Sequence, residues 1–272
     1  GIAVTSEAND QSNIEIIRGD NKVLIAWEDF ANGIDFNITG QIIDVNSMEL
    51  IGDNIAICHE DLYQGSPTLA YDGDGRFIVA WEDERGVDNG DPALSGGLDV
   101  YVQIVTEEGL QYQAGGVTVA SEYHDQSLPQ FQHLYFNDYG DPVWMLYWID
   151  MRSSGKEDLK NLYAQGIEIV ESSIEDDFVP TEFKVSAAYP NPFNGAVALD
   201  VEISEVGPVI FSITNILGQM VYQQTLLPTR AGKFQIMWNG RDQIQKGLPS
   251  GIYFYSVNTN VNIVSGKFTY LK

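Results

Sequence analysis

Short runs of apolar residues alternate with polar turns along the chain, and residues 54–115 show the pattern most clearly. Four runs of β-branched, aliphatic and aromatic residues occur there: IAIC (55–58), TLAY (68–71), RFIVAW (76–81) and VYVQIV (100–105). Gly, Asp, Asn and Pro stand between them. Such enrichment bounded by turn residues predicts strands joined by turns. This stretch is therefore predicted to form four short strands.

The same pattern occurs three times in residues 1–170, with a period of about 55 to 60 residues that is typical of propellers, solenoids or arrays. The copies open with IAVTSE, IAICHE and VTVASE, and each has a strand that ends in Trp-x-Asp. The superposed residues are Trp27, Trp81 and Trp148; Asp29, Asp83 and Asp150; the upstream Gln11, Gln64 and Gln126; and the downstream Gln41, Gln103 and Gln165. We place the repeats at 1–53, 54–115 and 116–170.

Four strands per repeat is the composition of a propeller blade, and the Trp at the end of the most apolar strand is predicted to fill the space between neighbouring blades. Three blades are too few for a ring, which usually has about four to eight. We expect missing N-terminal repeats to cover the outer faces; an open stack or oligomer, and packing against a second domain, stay open. Because the first residues are already in phase with a repeat, the chain is interpreted as a processed product or a portion of a longer precursor.

Charge divides the chain of 272 residues into two parts. The formal net charge of −25 comes entirely from residues 1–177, which carry a net −27, whereas residues 178–272 carry a net +2. So acidic a surface argues against phosphate-mediated nucleic-acid binding and favours an extracellular or cation-rich setting, or basic partners. The acidic stretch 171–183 is interpreted as a linker.

Two further observations limit the function. The single cysteine, Cys58, excludes an intramolecular disulfide, and its place in the repeat, where Thr5 and Ala120 also stand, favours a small core residue over a nucleophile. The longest apolar run, VWMLYWI from Val143, is too short to cross a bilayer, so no transmembrane segment is predicted.

Residues 184–272 have a different character. At least six short strands are predicted there, and their spacing favours a β-sandwich of immunoglobulin-like architecture. Trp238 is predicted to fill its core, Leu217-Gly218 and Asn239-Gly240 to form turns, and the prolines of the AYPNPFN motif to keep that segment extended. Gly251 is predicted to allow close backbone approach. The whole chain is thus predicted to be all-β.

The C-terminal motifs, in order, are AYPNPFN (188–194), ILGQMVY (216–222), WNGRD (238–242) and SGIYFY (250–255), followed by a last strand that ends at Lys272. Together they resemble the C-terminal sorting domain of proteins exported by the type IX (Por) secretion system of Bacteroidetes. The resemblance implies export to the cell surface or release, with the secretion machinery as a partner and the final strand 266–272 closest to recognition. The residues assigned to the sorting signal are Tyr189, Pro190, Asn191, Pro192, Gly218, Gly251, Lys267 and Lys272.

Two acidic loops of the second repeat are calcium candidates, because closely spaced oxygen ligands suit that ion. Asp72 and Asp74 lie in YDGDGR, and Asp88 and Asp91 lie in and just after VDNG. Neither loop has the EF-hand spacing, and a plain hairpin turn explains DGDG equally well. Calcium is the one cofactor left open, and no other is predicted.

The other candidates for chemistry have simpler structural explanations. The repeated Asp residues invite a metal hypothesis, but capping of the following turn is favoured. Arg85 and Arg152 are expected to pair with neighbouring acids, since the residues that a sialidase-like site needs are absent from the pattern. His59, His124 and His133 lack metal-ligand spacing and are interpreted as surface residues.

Repeats without a catalytic set favour a secreted or cell-surface, non-catalytic protein that binds or scaffolds, with other surface proteins or copies of itself as partners. One alternative is an extracellular glycan-active hydrolase or lyase whose catalytic residues lie in upstream repeats. Another is that the repeats only hold a further domain away from the membrane.

Overall fold

The computed structural model describes residues 1–6, 10–86, 97–121, 124–136, 142–151, 160–170 and 180–272. These residues form strands, turns and bends, and none of them lies in a helix. The prediction of an all-β protein is confirmed. The chain divides into two compact units, Gly1–Ala164 (unit 1) and Gln165–Lys272 (unit 2).

Unit 1 is built from short, mostly antiparallel strands, as its β-branched and aromatic runs predict. Its strands are β1 (Gln11–Arg18), β2 (Lys22–Asp29), β3 (Asn37–Asp44), β4 (Leu50–Cys58), β5 (Gln64–Tyr71), β6 (Phe77–Gly86), β7 (Gly97–Thr106), β8 (Gly109–Leu110), β9 (Val117–Ala120), β10 (Gln126–Phe136), β11 (Pro142–Asp150) and β12 (Asn161–Val170), the last of which continues into unit 2.

The strands of unit 1 lie in three sheets. Sheet 1 has the order β1-β2-β3-β4, and sheet 2 has the order β5-β6-β7, with β8 and β9 both paired to β7. In sheet 3, β10 pairs with β11, which is followed by the start of β12. Within the described residues these sheets do not form a closed propeller.

Sheets and sequence repeats are offset by one strand. The opening segment of the second repeat, IAIC, is the end of β4 and pairs with β3 in sheet 1. The opening segment of the third repeat, VTVA, is β9 and pairs with β7 in sheet 2. The second and third repeats therefore each contribute their first strand to the sheet of the preceding repeat, which the predicted repeat boundaries did not anticipate.

A β-bulge recurs in the first strand of each of the three sheets of unit 1. The register shifts after Ser12, Gly65 and Ser127, and the next residue, Asn13, Ser66 or Leu128, has a left-handed backbone with φ of 46°, 51° or 52°. A non-glycine residue rarely adopts this conformation, so three equivalent cases mark a designed feature of the repeat.

An apolar core joins sheets 1 and 2. Leu24, Ala26 and Ile38 of sheet 1 are buried in one cluster with Val79 and Trp81 of sheet 2. Burial of such side chains is the main driving force for packing. The prediction that the repeated Trp fills the space between neighbouring sheets is confirmed for Trp81.

Unit 2 contains the end of β12 and seven further strands. These are β13 (Lys184–Val185), β14 (Val197–Ile203), β15 (Val209–Asn215), β16 (Met220–Pro228), β17 (Gly232–Trp238), β18 (Gly251–Asn258) and β19 (Ile263–Tyr270). One sheet has the order β13-β14-β17, and in the other the order after β12 is β16-β15-β18-β19. Residues 166–170 of β12 pair in parallel with β16.

One aromatic-rich core lies between the two sheets of unit 2. Trp238 is 3% exposed and contacts Phe193, Tyr253, Phe268 and Tyr270, with ring centroids between 5.3 and 6.3 Å apart. Strict alternation along β14 and β17 places every second side chain in this core. The predicted role of Trp238 is confirmed.

Three local predictions in unit 2 need correction. Residues 190–192 form bends, with cis peptide bonds before Pro190 and Pro192, so this segment is not simply extended. At Gly251 an added Cβ would meet only Tyr253, at 3.9 Å, so no close backbone approach requires glycine there. The predicted turn at Gly218 is confirmed, whereas Gly240 lies in a bend after β17; both glycines have positive φ.

Candidate functional sites

The three repeated tryptophans are all buried, but their indole N–H groups differ. The indole N–H of Trp81 donates to Asp83 at 2.8 Å, and that of Trp148 donates to Asp150 at 3.0 Å. Each of these rings also stacks on a tyrosine of the neighbouring strand, Tyr101 and Tyr163 respectively.

In sheet 1 the residue beside Trp27 is Thr39. Its hydroxyl donates to Asp29 at 3.2 Å and lies 2.8 Å from Nε2 of His59, while the Trp27 indole N–H has no acceptor among the described residues. Partial desolvation lowers the pKa of His59, which lies at the surface, against the opposing influence of Asp29. The first repeat thus keeps the buried ring but changes the polar contacts around it.

The repeated aspartates cap the turns that follow their strands. Oδ1 of Asp29 accepts the backbone N–H of Ala31, and Oδ1 of Asp83 accepts the backbone N–H of Arg85, both at 3.0 Å. The turn-capping interpretation is confirmed at these two positions. Arg85 also pairs with Asp83 through its guanidinium, with Nη2 at 2.6 Å from Oδ2, as predicted; Arg152 lies outside the described residues.

Cys58 is fully buried beside this ion pair. Its Sγ lies 3.7 Å from Oδ2 of Asp83 and accepts a contact from Nη2 of Arg85 at 3.4 Å. Burial, opposed by Arg85 and supported by Asp83, raises the pKa of the thiol to about 12. A buried protonated thiol packs as a small apolar residue, in agreement with the interpretation from sequence.

The Glu between Trp and Asp links consecutive sheets, and this role was not predicted. Oε1 of Glu28 in sheet 1 accepts the backbone N–H of Ser66 in the bulge of sheet 2 at 2.7 Å. Oε2 of Glu82 in sheet 2 accepts the backbone N–H of Leu128 in the bulge of sheet 3, also at 2.7 Å. Both glutamates are buried, with exposures of 3% and 6%. The same carboxylate-to-amide contact therefore occurs at both junctions.

Tyr63 lies between the two glutamates. Its hydroxyl is 3.4 Å from Oε1 of Glu28 and 3.3 Å from Oε1 of Glu82, and burial together with these two carboxylates raises its pKa. Gly65 is required beside it, because an added Cβ would lie 1.9 Å from the Tyr63 oxygen. The carboxylates are thus held in a packed junction rather than in an open cleft.

The repeated glutamines hold backbone segments in place. Nε2 of Gln41 donates to the carbonyl of Ile51 at 3.0 Å, and Nε2 of Gln103 donates to the carbonyl of Gln113 at 3.1 Å. Both side chains are fully buried and fix the chain just before the next repeat begins. Their recurrence therefore reflects the fold.

The calcium candidates differ in what the structure shows. Asp72 is buried and accepts the backbone N–H groups of Asp74 and Arg76, at 2.9 and 3.0 Å, as well as a short contact from the Arg76 guanidinium. Oδ2 of Asp74 pairs with Arg76 at 3.3 Å. Asp88 and Asp91 lie outside the described residues. No group of three or more potential metal ligands occurs in the part of the chain that the structure describes.

The histidines have three different environments. His59 is exposed, whereas His124 and His133 are half-buried. The His133 ring packs against Trp144 and Phe136, with centroids 5.3 and 4.8 Å away. His124 has a left-handed backbone with φ of 69°, and its carbonyl accepts the side chain of Gln126. The surface interpretation is correct for His59 only.

The residues assigned to the sorting signal lie in separate parts of unit 2. The hydroxyl of Tyr189 donates to the carboxylate of Asp200 at 2.9 Å. Asn191 contacts β19 twice, since Oδ1 accepts the backbone N–H of Thr269 at 2.9 Å and Nδ2 donates to the carbonyl of Lys267 at 3.3 Å. The AYPNPFN motif is therefore attached directly to the last strand.

The later part of the sorting-signal set includes Gly218, Lys267 and Lys272, and a neighbouring residue outside the set, Phe193, also contacts the last strand. Phe193, within the same motif, pairs with the end of β19 through backbone hydrogen bonds to Thr269 and Leu271. The backbone N–H of Lys272 donates to Ser250 at 2.8 Å, and the side chains of Lys267 and Lys272 are exposed. Gly218 occupies the turn between β15 and β16. Motifs that are distant in sequence thus meet around β19.

Unit 2 is a two-sheet β-domain whose first motif and last strand are bonded to each other. Its residues 187–270 match the family described as "Secretion system C-terminal sorting domain", so this segment belongs to that family. The resemblance identified from sequence is confirmed. The domain indicates export through the type IX system to the cell surface or the extracellular space. The described residues include no helix long and apolar enough to span a membrane.

Solved structures are similar only at a coarse level. An α-L-arabinofuranosidase from Lactobacillus brevis has 12% identity and a TM-score of 0.35, over 62% of this chain and 54% of that one. Dimeric latent PorU from Porphyromonas gingivalis has 12% identity and a TM-score of 0.28, over 92% and 26%. PorZ, a surface component of the type IX secretion system of the same organism, has 11% identity and a TM-score of 0.26, over 99% and 39%.

This chain therefore spans only about a quarter to just over half of the length of these solved proteins. No curated protein matches it. At such low TM-scores these similarities give no information about the substrate or partner of this chain.

Proposed function

We propose that this chain is a non-catalytic binding or scaffold protein of the cell surface, whose propeller-type repeats are displayed by an immunoglobulin-like sorting sandwich. We assign the repeats to residues 1–170, a linker to 171–183 and the sorting domain to 184–272. Export rests on the C-terminal family, and the binding or scaffold role is the part that this proposal adds.

The observation that carries the proposal is the use made of the repeated acids. Glu28 and Glu82 accept backbone N–H groups between sheets, and Asp29 and Asp83 cap turns. A glycoside hydrolase needs a pair of carboxylates on either side of an accessible substrate. The repeated carboxylates of the described residues instead build the array, which supports a structural use of the repeats.

The test compares binding with turnover. The purified secreted protein is incubated with immobilised cell-surface polysaccharides and with outer-surface protein extracts, and both retention and newly formed reducing ends are measured. We expect retention on a defined ligand without reducing ends, and loss of retention in heat-unfolded protein. Release of reducing ends by the folded protein would instead establish the glycan-active alternative.

Calcium binding at Asp72, Asp74, Asp88 and Asp91 stays a prediction. Because a bound ion stabilises the folded state by mass action, chelation should lower the melting temperature if the acidic loops bind calcium. Since Asp72 is already paired with Arg76, the matched variants are Asp72→Asn and Asp88→Asn. An identical melting temperature with chelator and with millimolar calcium would contradict the prediction.

A further inference from the structure

At the two junctions inside unit 1, each sheet is contacted by the sheet that precedes it in the chain, and the contacts are of two kinds. The bulge amide of Ser66 or Leu128 receives a glutamate carboxylate. The face that carries Trp81 receives an apolar surface, since Val79 and Leu69 on that face are 0% and 7% exposed and pack against sheet 1. The carboxylate contact occurs at both junctions and the apolar contact at the junction of sheets 1 and 2, and together they define the receiving face of a sheet.

Sheet 1 has the same face; Trp27 on it is buried, but the aliphatic residues that β1 adds to it are exposed. Ile16, at the position of Leu69, is 64% exposed, and Ile25, at the position of Val79, is half-buried. Ile14, at the position of the buried Pro67, is 65% exposed. Exposed aliphatic residues on an edge strand form an apolar surface that proteins normally cover.

The bulge of β1 is also formed without a carboxylate to meet it. Asn13 has the same left-handed backbone as Ser66 and Leu128, with φ of 46°. Its side chain donates to Glu28 at 2.7 Å, within its own sheet. No carboxylate of the described residues accepts its backbone N–H, although the equivalent N–H groups in β5 and β10 each have one. Asn13 therefore has the strained backbone of the other two bulge residues, but lacks the carboxylate contact that they have among the described residues.

A third observation concerns residues 2–5. Their sequence, IAVT, corresponds to IAIC and VTVA, which complete sheets 1 and 2 as outer strands. In this structure residues 2–5 belong to no strand. The carbonyl of Val4 accepts the side-chain N–H of Asn54 in β4 at 3.0 Å, which holds this strand-forming segment beside sheet 1.

From these three features we infer that β1, the Trp27 face of sheet 1 and residues 2–5 form a docking surface for one further repeat whose strand ends in Trp-Glu-Asp. That repeat supplies a glutamate carboxylate to the Asn13 amide, an apolar face to Ile16 and Ile25, and a strand edge to residues 2–5. This inference goes beyond the proposed function, because it names the partner chemistry of one surface.

The sequence of unit 1 excludes a second copy of this chain as the occupant. Glu28 and Glu82 are already bonded to the following sheets of their own chain. The third repeat carries Ile149 at the equivalent position and so has no carboxylate to donate. An additional repeat with a free glutamate is therefore the partner that fits.

The test extends the chain by one repeat. A copy of residues 54–115 is placed before Gly1, in phase with the existing repeats, and amide hydrogen exchange at Asn13 is measured in the original and extended proteins. We expect exchange at Asn13 to slow by about tenfold or more in the extended protein, because local opening then has to break the new junction. The matched control carries Glu82→Gln in the added copy only and should lose most of that protection.

A second measurement in the same two proteins tests the apolar part of the docking surface. Ile16→Glu should leave the melting temperature of the original chain almost unchanged, since this side chain is exposed, and should lower that of the extended chain by several degrees. The inference is overturned if Asn13 exchanges equally fast in both proteins. It is also overturned if Ile16→Glu has the same small effect in both, or if proteolysis removes the added copy as an unfolded segment.

Discussion

The two units join their sheets by different means. In unit 1 the sheets meet through apolar side chains and through buried carboxylates that accept backbone N–H groups. In unit 2 the two sheets share a core of stacked aromatic rings, such as Phe193 on Tyr270, with centroids 4.9 Å apart. A hydrogen bond from a backbone N–H to a carboxylate is directional, so it fixes how one sheet is aligned with the next. An aromatic core instead buries its rings against one another within one unit. The first arrangement suits repeated addition of sheets, and the second suits a unit that is complete alone.

The largest effect should come from the core of unit 2. Trp238→Ala removes the ring that contacts five other aromatic side chains, and we expect a loss of about 3–5 kcal/mol, enough to unfold this unit. Denaturant unfolding monitored by near-UV circular dichroism measures it. Met237→Ala, on the same strand at a 44% exposed position, is the control and should cost far less. Equal costs for the two variants would contradict the aromatic-core account.

The carboxylate junction of unit 1 should be the next most sensitive feature. Glu82→Ala leaves the Leu128 N–H without its acceptor, and we expect a loss of about 1–3 kcal/mol because a buried unpaired donor is costly. Denaturant unfolding of the Glu82→Ala and Glu202→Ala variants measures the loss of stability. Glu202→Ala is the control, since Glu202 makes only a surface ion pair with Lys233 at 3.4 Å and should cost less than about 0.5 kcal/mol. If Glu82→Ala is as mild as Glu202→Ala, the junction contributes nothing.

Crowding at the same junction gives a sharper test. Gly65→Ala places a methyl group against the Tyr63 oxygen and should cost about 1–3 kcal/mol. In a Tyr63→Ala background the same substitution should cost clearly less, because the two shortest contacts are gone and the contact of 2.7 Å with Oε1 of Glu28 remains, and this pair forms a double-mutant cycle measured by thermal unfolding. Gly195→Ala in unit 2 is the control, because its added Cβ meets nothing within 4 Å. An unchanged cost in the Tyr63→Ala background would show that the clash lies elsewhere.

The smallest expected effect is on the loss of stability at alkaline pH. Burial, Glu28 and Glu82 raise the pKa of Tyr63 above its ordinary value of 10.0, so the unfolded chain releases this proton at a lower pH than the folded chain does. The contribution of protonated Tyr63 to the free energy of unfolding is therefore complete below pH 10 and is lost as the pH rises above that value. We expect Tyr63→Phe to reduce the loss of stability between neutral and strongly alkaline pH. A pH series of unfolding midpoints measures this, and an unchanged slope would contradict it.

The residues that could be predicted from sequence are those whose partners are local. Trp81 and Asp83 are two apart on a strand, so their side chains lie on one face, and this spacing predicted both the buried ring and the turn cap. The order of motifs in unit 2 predicted its family in the same way. In both cases the informative contacts lie within a few residues or form a fixed series.

The junction between sheets could not be predicted because its partners are remote and one of them is backbone. Glu28 and Ser66 are 38 residues apart, and Glu82 and Leu128 are 46 apart. The bulge residues are Asn, Ser and Leu, which share no preference for a left-handed backbone. The one available signal was the Glu that recurs between Trp and Asp in two repeats and is replaced by Ile149 in the third.

Amide hydrogen exchange at the three equivalent bulge residues of the 272-residue chain tests the central claim most directly. Ser66 and Leu128 should exchange slowly, since each N–H is bonded to a buried glutamate of the preceding sheet, and Asn13 should exchange at least about tenfold faster. Equal rates at all three amides would contradict the claim that these carboxylates join one sheet to the next.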